Sequence, residues 1–345
     1  MSTLQIGLAV AGGVVLAAVV AHGAWSARKL APKQPAPDPA DNTRSAGGAG
    51  IEPRLEPDSF GMDSFPIPAP EKKAGMDALI DVIAPIALDG LVSGEAALAA
   101  MPPTRRAGSK PFAVEGLNTL SRQWETPMPG QRYSAFQAGV QLANRLGALN
   151  EIEYSEFVVK AQEFCDAVNG TADFPEMLEE VARARELDQF ASAHDAQLGF
   201  TLRARNAAWS PGYVQQHAAR LGFVAGAMPG RMVLAAREPG MPPVLGLGFD
   251  TQAALADDPA QAAIREVTLS LDVAHVDRSE QPFVRLREVA TSLAQAMDGS
   301  ITDDNGRALA RDAMDLIGSE LEGLYDTLEQ RDLAAGSALA RRLFA

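Results

Sequence analysis

Chemistry at a protein site needs side chains that converge, so the histidines, the cysteine and the close carboxylate pairs come first. His22, His194, His217 and His275 are scattered along 345 residues, with no HExxH pair and no metal-ligand spacing to the single cysteine, Cys165. Cys165 falls on the apolar face of a helical pattern, the place of a small buried hydrophobe, and forbids an internal disulfide. Asp257-Asp258 and Asp303-Asp304 carry the charge of cation ligands, but each pair stands where a helix start is expected, and carboxylates there complement the helix dipole. Gly246-Leu247-Gly248 lacks the third glycine and the helix start of a dinucleotide loop. Arg105-Arg106 and Arg341-Arg342 read as solvated charge. No catalytic residue, metal site or cofactor is expected, and the chain reads as non-enzymatic.

The elements that would position any site begin with an apolar run. Leu4 to Trp25 has no charged residue and, at helical rise, covers about 33 Å, enough to cross a bilayer core. Met1 to Thr3 has no basic side chain, unlike a cleavable signal peptide, while Arg28, Lys29 and Lys33 follow the run. Residues 1–30 therefore read as a single-pass anchor, with the short N-terminus outside and everything after Trp25 cytoplasmic. Residues 31–75 hold nine prolines and five glycines in 45 residues, with aromatics only at Phe60 and Phe65, which predicts an extended tether without a core.

The remaining chain, with 47% hydrophobic residues overall, has ample material for two packed domains, and its acidic excess, −14 for the whole chain, repels phosphate backbones, so no nucleic-acid partner is expected. Two copies of one arrangement are legible. Tyr154, Phe157, Ala161, Phe164, Cys165 and Val168 mark one face of a helix, and adding 129 gives Phe283, Leu286, Ala290, Leu293, Ala294 and Met297 at the same spacing. Each helix stops at a comparable pair, Asn169-Gly170 or Asp298-Gly299, where the glycine suits a left-handed cap. The same offset carries the alternating strand Ala138, Val140, Leu142 onto Val267, Leu269, Leu271. Upstream, a strand leading to Ser93 parallels a strand leading to Ser210-Pro211, both helix N-caps. The expectation is an α+β fold: a first unit at 76–195, a second at 196–331, each an antiparallel sheet with helices on one face, and a C-terminal tail at 332–345.

The order of membrane helix, Pro-rich linker and α+β domain resembles the ZipA family of bacterial cell-division proteins. The second unit carries the closer likeness, through Leu221-Gly222-Phe223-Val224 closing a helix, Met228, the strand around Val244 to Phe249, the strand Val267 to Leu271, and Ile301 to Asp304 before the last helix. The resemblance implies a non-catalytic tether of the inner membrane at the division septum, which holds FtsZ polymers by binding the FtsZ C-terminal tail on an exposed sheet face. It places that groove at Thr201, Arg203, Met228, Phe249, Thr268 and Ser270. Ser270 stands where the family has an aromatic, and Thr201, Arg203 and Thr268 are not apolar. An adaptor of the same fold for a different protein partner is the alternative.

Overall fold

The computed structural model describes residues 32–35, 75–258, 261–303 and 306–345. The run Leu4–Trp25, most of the 31–75 segment and Asp304 lie outside them. Among the described residues no helix is long and apolar enough to cross a membrane.

The chain gathers into two compact units, each α+β with an antiparallel sheet. The first takes residues 70–196, 273–278 and 320–345; the second takes 197–272 and 279–319 together with the N-terminal segment, of which Pro32–Pro35 is described. In the first unit, β1 (Asp81–Ser93), α1 (Gly94–Ala100), β2 (Arg106–Ala107), β3 (Lys110–Asn118), β4 (Trp124–Glu125) and β5 (Arg132–Gln141) are followed by the small hairpin β6 (Ala143–Asn144) and β7 (Gly147–Ala148). Then come α2 (Glu151–Ala167), β8 (Gly170–Ala172) and α3 (Met177–His194). The sheet order is β2-β3-β5-β1-β8, with β4 on β3.

The second unit runs β9 (Gln197–Ala204), α4 (Pro211–Arg220), β10 (Phe223–Ala225), β11 (Arg231–Leu234), β12 (Leu245–Gly248), α5 (Thr251–Ala254) and β13 (Glu266–Asp272), then α6 (Pro282–Met297) and β14 (Gly299–Thr302). Its sheet order is β10-β11-β12-β13-β9-β14. Apart from the extra edge strand β10, this is the order of the first sheet: in each, the opening strand lies between the strand that precedes the long helix and the short strand that follows it. Registers agree as well, since Val140 faces Val82 and Leu269, 129 residues later, faces Phe200. The division between the units falls inside α7 (Arg311–Glu329), and α8 (Ala338–Leu343) belongs to the first.

The long helices bury the faces their spacing predicts. Asn150 opens α2 with a capping box, its side chain accepting from the Ile152 and Glu153 N–H groups. Tyr154, Phe157, Ala161, Phe164 and Cys165 turn inward, with the Phe164 ring edge-on to Phe136 at 5.2 Å between centroids. In α6 the buried set is Phe283, Leu286, Ala290, Leu293 and Met297, and Phe283 meets Phe200 across the sheet interface at 6.3 Å. Ala294, the counterpart of Cys165, is only half-buried.

Several local expectations are corrected. The left-handed residues that end α2 and α6 are Asn169 and Asp298, not the glycines after them. Gly170 and Gly299 begin β8 and β14, where a Cβ would press on Ile86 at 2.8 Å in one unit and on Trp209 at 3.3 Å in the other. Asp303 does not cap α7: its carboxylate accepts from the Arg307 N–H at 2.8 Å and closes a turn. Asp257 and Asp258 follow α5, which Asp250 caps. The C-terminal residues are not a tail, nor is Arg342 solvated charge. Arg342 makes a double hydrogen bond to Asp81, which is 2% exposed, and its carbonyl accepts from Gln141 Nε2 at 2.7 Å.

Candidate functional site

Alternation along the second sheet decides which residues a partner could touch. On β13, Val267, Leu269 and Leu271 are buried while Glu266, Thr268 and Ser270 point outward. Ser270 pairs with Gly199 and Gly246, and Thr268 with Thr201 and Gly248. Glu266 pairs with Arg203, which reaches it in an ion pair of 3.1 Å. Four of the six expected groove residues, Thr201, Arg203, Thr268 and Ser270, thus share one sheet face across two adjacent strands. Arg203, Thr268 and Ser270 are exposed, whereas Thr201 is closed in at 9% exposure, its carbonyl accepting from Thr302 Oγ1 at 3.2 Å.

The other two residues sit elsewhere. Phe249 is 8% exposed and shares the parity of the buried Leu245 and Leu247, so it belongs to the core side and not to the groove. Met228, 63% exposed, stands at the edge of the sheet in the β10–β11 connection. There Met228-Pro229-Gly230-Arg231 makes a tight turn: the Arg231 N–H donates to the Met228 carbonyl at 3.1 Å, and Gly230 takes φ +76°. Proline then glycine at the two central positions is the sequence signature of a type II turn.

Three further parts of this face are not among the expected groove residues. A Cβ on Gly248 would lie 2.4 Å from Arg231 Nη1, and one on Gly246 would lie 2.6 Å from Ser270 Oγ. The two glycines therefore make a floor over which Arg231 and Ser270 lie flat, and the GxG motif serves close side-chain approach rather than phosphate binding. At the far edge Val224, paired with Val233 and 55% exposed, adds a small apolar margin. The usable signal was the alternation Leu245/Leu247, which puts both glycines and Arg231 outward once the register is known. Beside Ser270 and Gly199 the face drops into a shallow recess of about 400 Å³ that reaches Leu198 and Leu271. The result is a hydroxyl and glycine surface with one arginine, one ion pair and a small apolar edge, suited to an extended peptide held by hydrogen bonds more than by an apolar pocket.

The first sheet differs on its outer face. Gly139, the counterpart of Thr268, is buried because Met76 lies across it, a Cβ there meeting the sulfur at 2.2 Å. The Met76 N–H donates to Glu115 at 3.0 Å, and Gln137 Nε2 donates to the same carboxylate at 2.9 Å. The chain entering the first unit thus covers the position that the second unit leaves open.

The buried lysine of the first unit is compensated from within. Lys110 Nζ donates to Ser109 Oγ at 2.7 Å and to Asn144 at 3.2 Å, with Glu153 at 3.9 Å, and burial pulls its pKa down. Ser109 Oγ donates in turn to Glu153 at 2.7 Å, so the hydroxyl bridges an ion pair. Burial pushes the Cys165 thiol up, away from thiolate reactivity. Among the described residues no three His, Cys, Asp or Glu side chains gather as a metal site. No protein-family model matches the chain, and no curated protein matches it.

Proposed function

We propose that this chain is a ZipA-like tether: a non-catalytic protein of the bacterial inner membrane, anchored by Leu4–Trp25, that holds FtsZ polymers at the septum by binding the FtsZ C-terminal tail on the outer face of the second sheet. The observation that carries the assignment to the second unit is the open face of Thr268 and Ser270, against the first unit's covered Gly139. The binding residues in this reading are Thr201, Arg203, Thr268 and Ser270 on the face, Arg231 over Gly248, and Met228 and Val224 at the edge. A single weak contact per chain is enough, because a filament presents many tails to many membrane-confined tethers and raises the effective concentration of each next contact.

The polar floor favours a second reading, an adaptor of the same fold whose partner is another protein with an extended polar segment. Titration of labelled FtsZ tail into the full chain in nanodiscs separates the two. Saturable binding is expected, lost in Met228→Lys and Thr268→Arg at unchanged melting temperature and tightened by about 1 to 2 kcal/mol in Ser270→Phe, whose ring would fill the recess beside Gly199. No binding by the native chain would sink the FtsZ reading. Binding untouched by all three variants would remove the second sheet from it.

A further inference from the structure

Four residues between the apolar run and the first unit dock on the second. The Lys33 N–H donates to the Ala208 carbonyl at 2.7 Å, and the Ser210 N–H donates to the Lys33 carbonyl at 2.9 Å, so Lys33 forms a parallel bridge with Trp209. Trp209 is fully buried and bridges Ile264 on its other side, with both of those hydrogen bonds at 2.8 Å. Lys33 thus adds a one-residue strand to a rigid edge.

Its side chain is received as specifically. Lys33 Nζ donates to the Met297 carbonyl at 2.9 Å, an acceptor it shares with Trp209 Nε1 at 2.8 Å, and lies 3.6 Å from the Asp298 carboxylate. Both groups stand at the C-terminus of α6, where the helix dipole favours a cation. Pro35 rests on Gly212, whose Cβ would touch its ring at 3.5 Å. Prolines at 32 and 35 hold the segment extended before it docks, which lowers the ordering cost. The contact is made by hydrogen bonds and one charge, with no large apolar side chain, so it can be exchanged.

We propose that Pro32–Pro35 is a latch that sets the length of the tether, an inference that rests on the membrane anchor proposed above. Docked, it leaves only Ser26 to Pro32, seven residues spanning at most about 25 Å, between the end of the apolar run and the second unit. Released, the shortest tie from the run to a folded unit is Ser26 to Ala74, 49 residues that lead to the first unit and can span up to about 170 Å. One basic residue on a helix terminus thereby switches the second unit between lying against the bilayer and sampling a deep layer beneath it.

Two readouts on the full chain in lipid vesicles test this. A spin label at Gln34→Cys reports docking locally, since Cys165 is buried and stays unlabelled. Energy transfer from a dye at Leu255→Cys, an exposed position, to labelled headgroups reports reach. An immobilised label is expected in the native background and in Lys33→Arg, and a mobile one in Lys33→Glu, whose transfer efficiency should fall at least twofold. A mobile label in the native background, unchanged transfer in Lys33→Glu, or immobilisation that appears only at high protein concentration, meaning exchange between copies, would each overturn the latch. Failure of the chain to float with vesicles would overturn the anchor and with it the leash, while an immobilised label would still show the docking to be real.

Discussion

The two sheets share a strand order and an inward face but not an outward one. Inside, Phe157 and Leu286, Phe164 and Leu293, and Val140 and Leu269 are buried pairs at one offset. Outside, Met76 covers Gly139 while Thr268 stands open. Packing constrains the inner face through every methylene, whereas the outer face is free to be covered or to be used. An arrangement that occurs twice in one chain can therefore keep a structural role in one unit and a binding role in the other.

The strongest test of the common inner face is paired truncation. Phe164→Ala and Leu293→Ala each remove a large, fully buried side chain, and each should lower its unit's stability by about 3 to 5 kcal/mol in chemical denaturation. A cost below about 1 kcal/mol in either would mean that the two cores are not equivalent. Next in size, Arg342→Ala leaves the buried Asp81 carboxylate with the Asp77 N–H but without its arginine and should cost the first unit about 3 kcal/mol while leaving the proposed tail binding intact. Loss of both would show that the second unit depends on the first.

A smaller effect is expected from Met76→Gly, which uncovers Gly139 for about 1 kcal/mol of stability. If covering is what silences the first sheet, calorimetry should then find a second, weaker tail site; a stoichiometry that stays at one would mean that strand chemistry, not the cover, separates the faces. The smallest effect concerns pH. Burial raises the pKa of all four tyrosines, Tyr133, Tyr154 and Tyr325 in the first unit and Tyr213 in the second, with Tyr325 pushed to about 12. The unfolded phenols ionise first, near pH 10, so stability is intact below that pH and falls as pH rises through the folded values. Phenolate absorbance should therefore rise late and together with unfolding. An early rise for most of the tyrosines would place them in solvent.

What was legible in the sequence is what repeats locally. Helix faces, the alternation of β13 and the Ser93 and Ser210 caps follow from spacing and side-chain chemistry, and the structure has them. What was not legible depends on partners far away in the chain. The groove assignment of Phe249 failed because parity is fixed by the register of β12 on β13, and a strand one residue out exchanges its faces. The left-handed residue at each helix stop lies one position before the expected glycine because Asn and Asp also accept the left-handed conformation, and the following glycine answers to a neighbouring strand. Arg342 looked like solvent charge because its partner lies 261 residues upstream.

That last pair has a consequence for biosynthesis. Asp81 lies in the first strand of the first unit and Arg342 261 residues further on, so the carboxylate is without its arginine until the ribosome has passed the whole of the second unit. The second unit, whose residues end at Ser319, has all its parts earlier. Maturation therefore runs against the order of synthesis: the unit whose strands are made first closes after the other, and a stop codon between Ser319 and Arg342 spares the second unit while leaving the first without its closing ion pair.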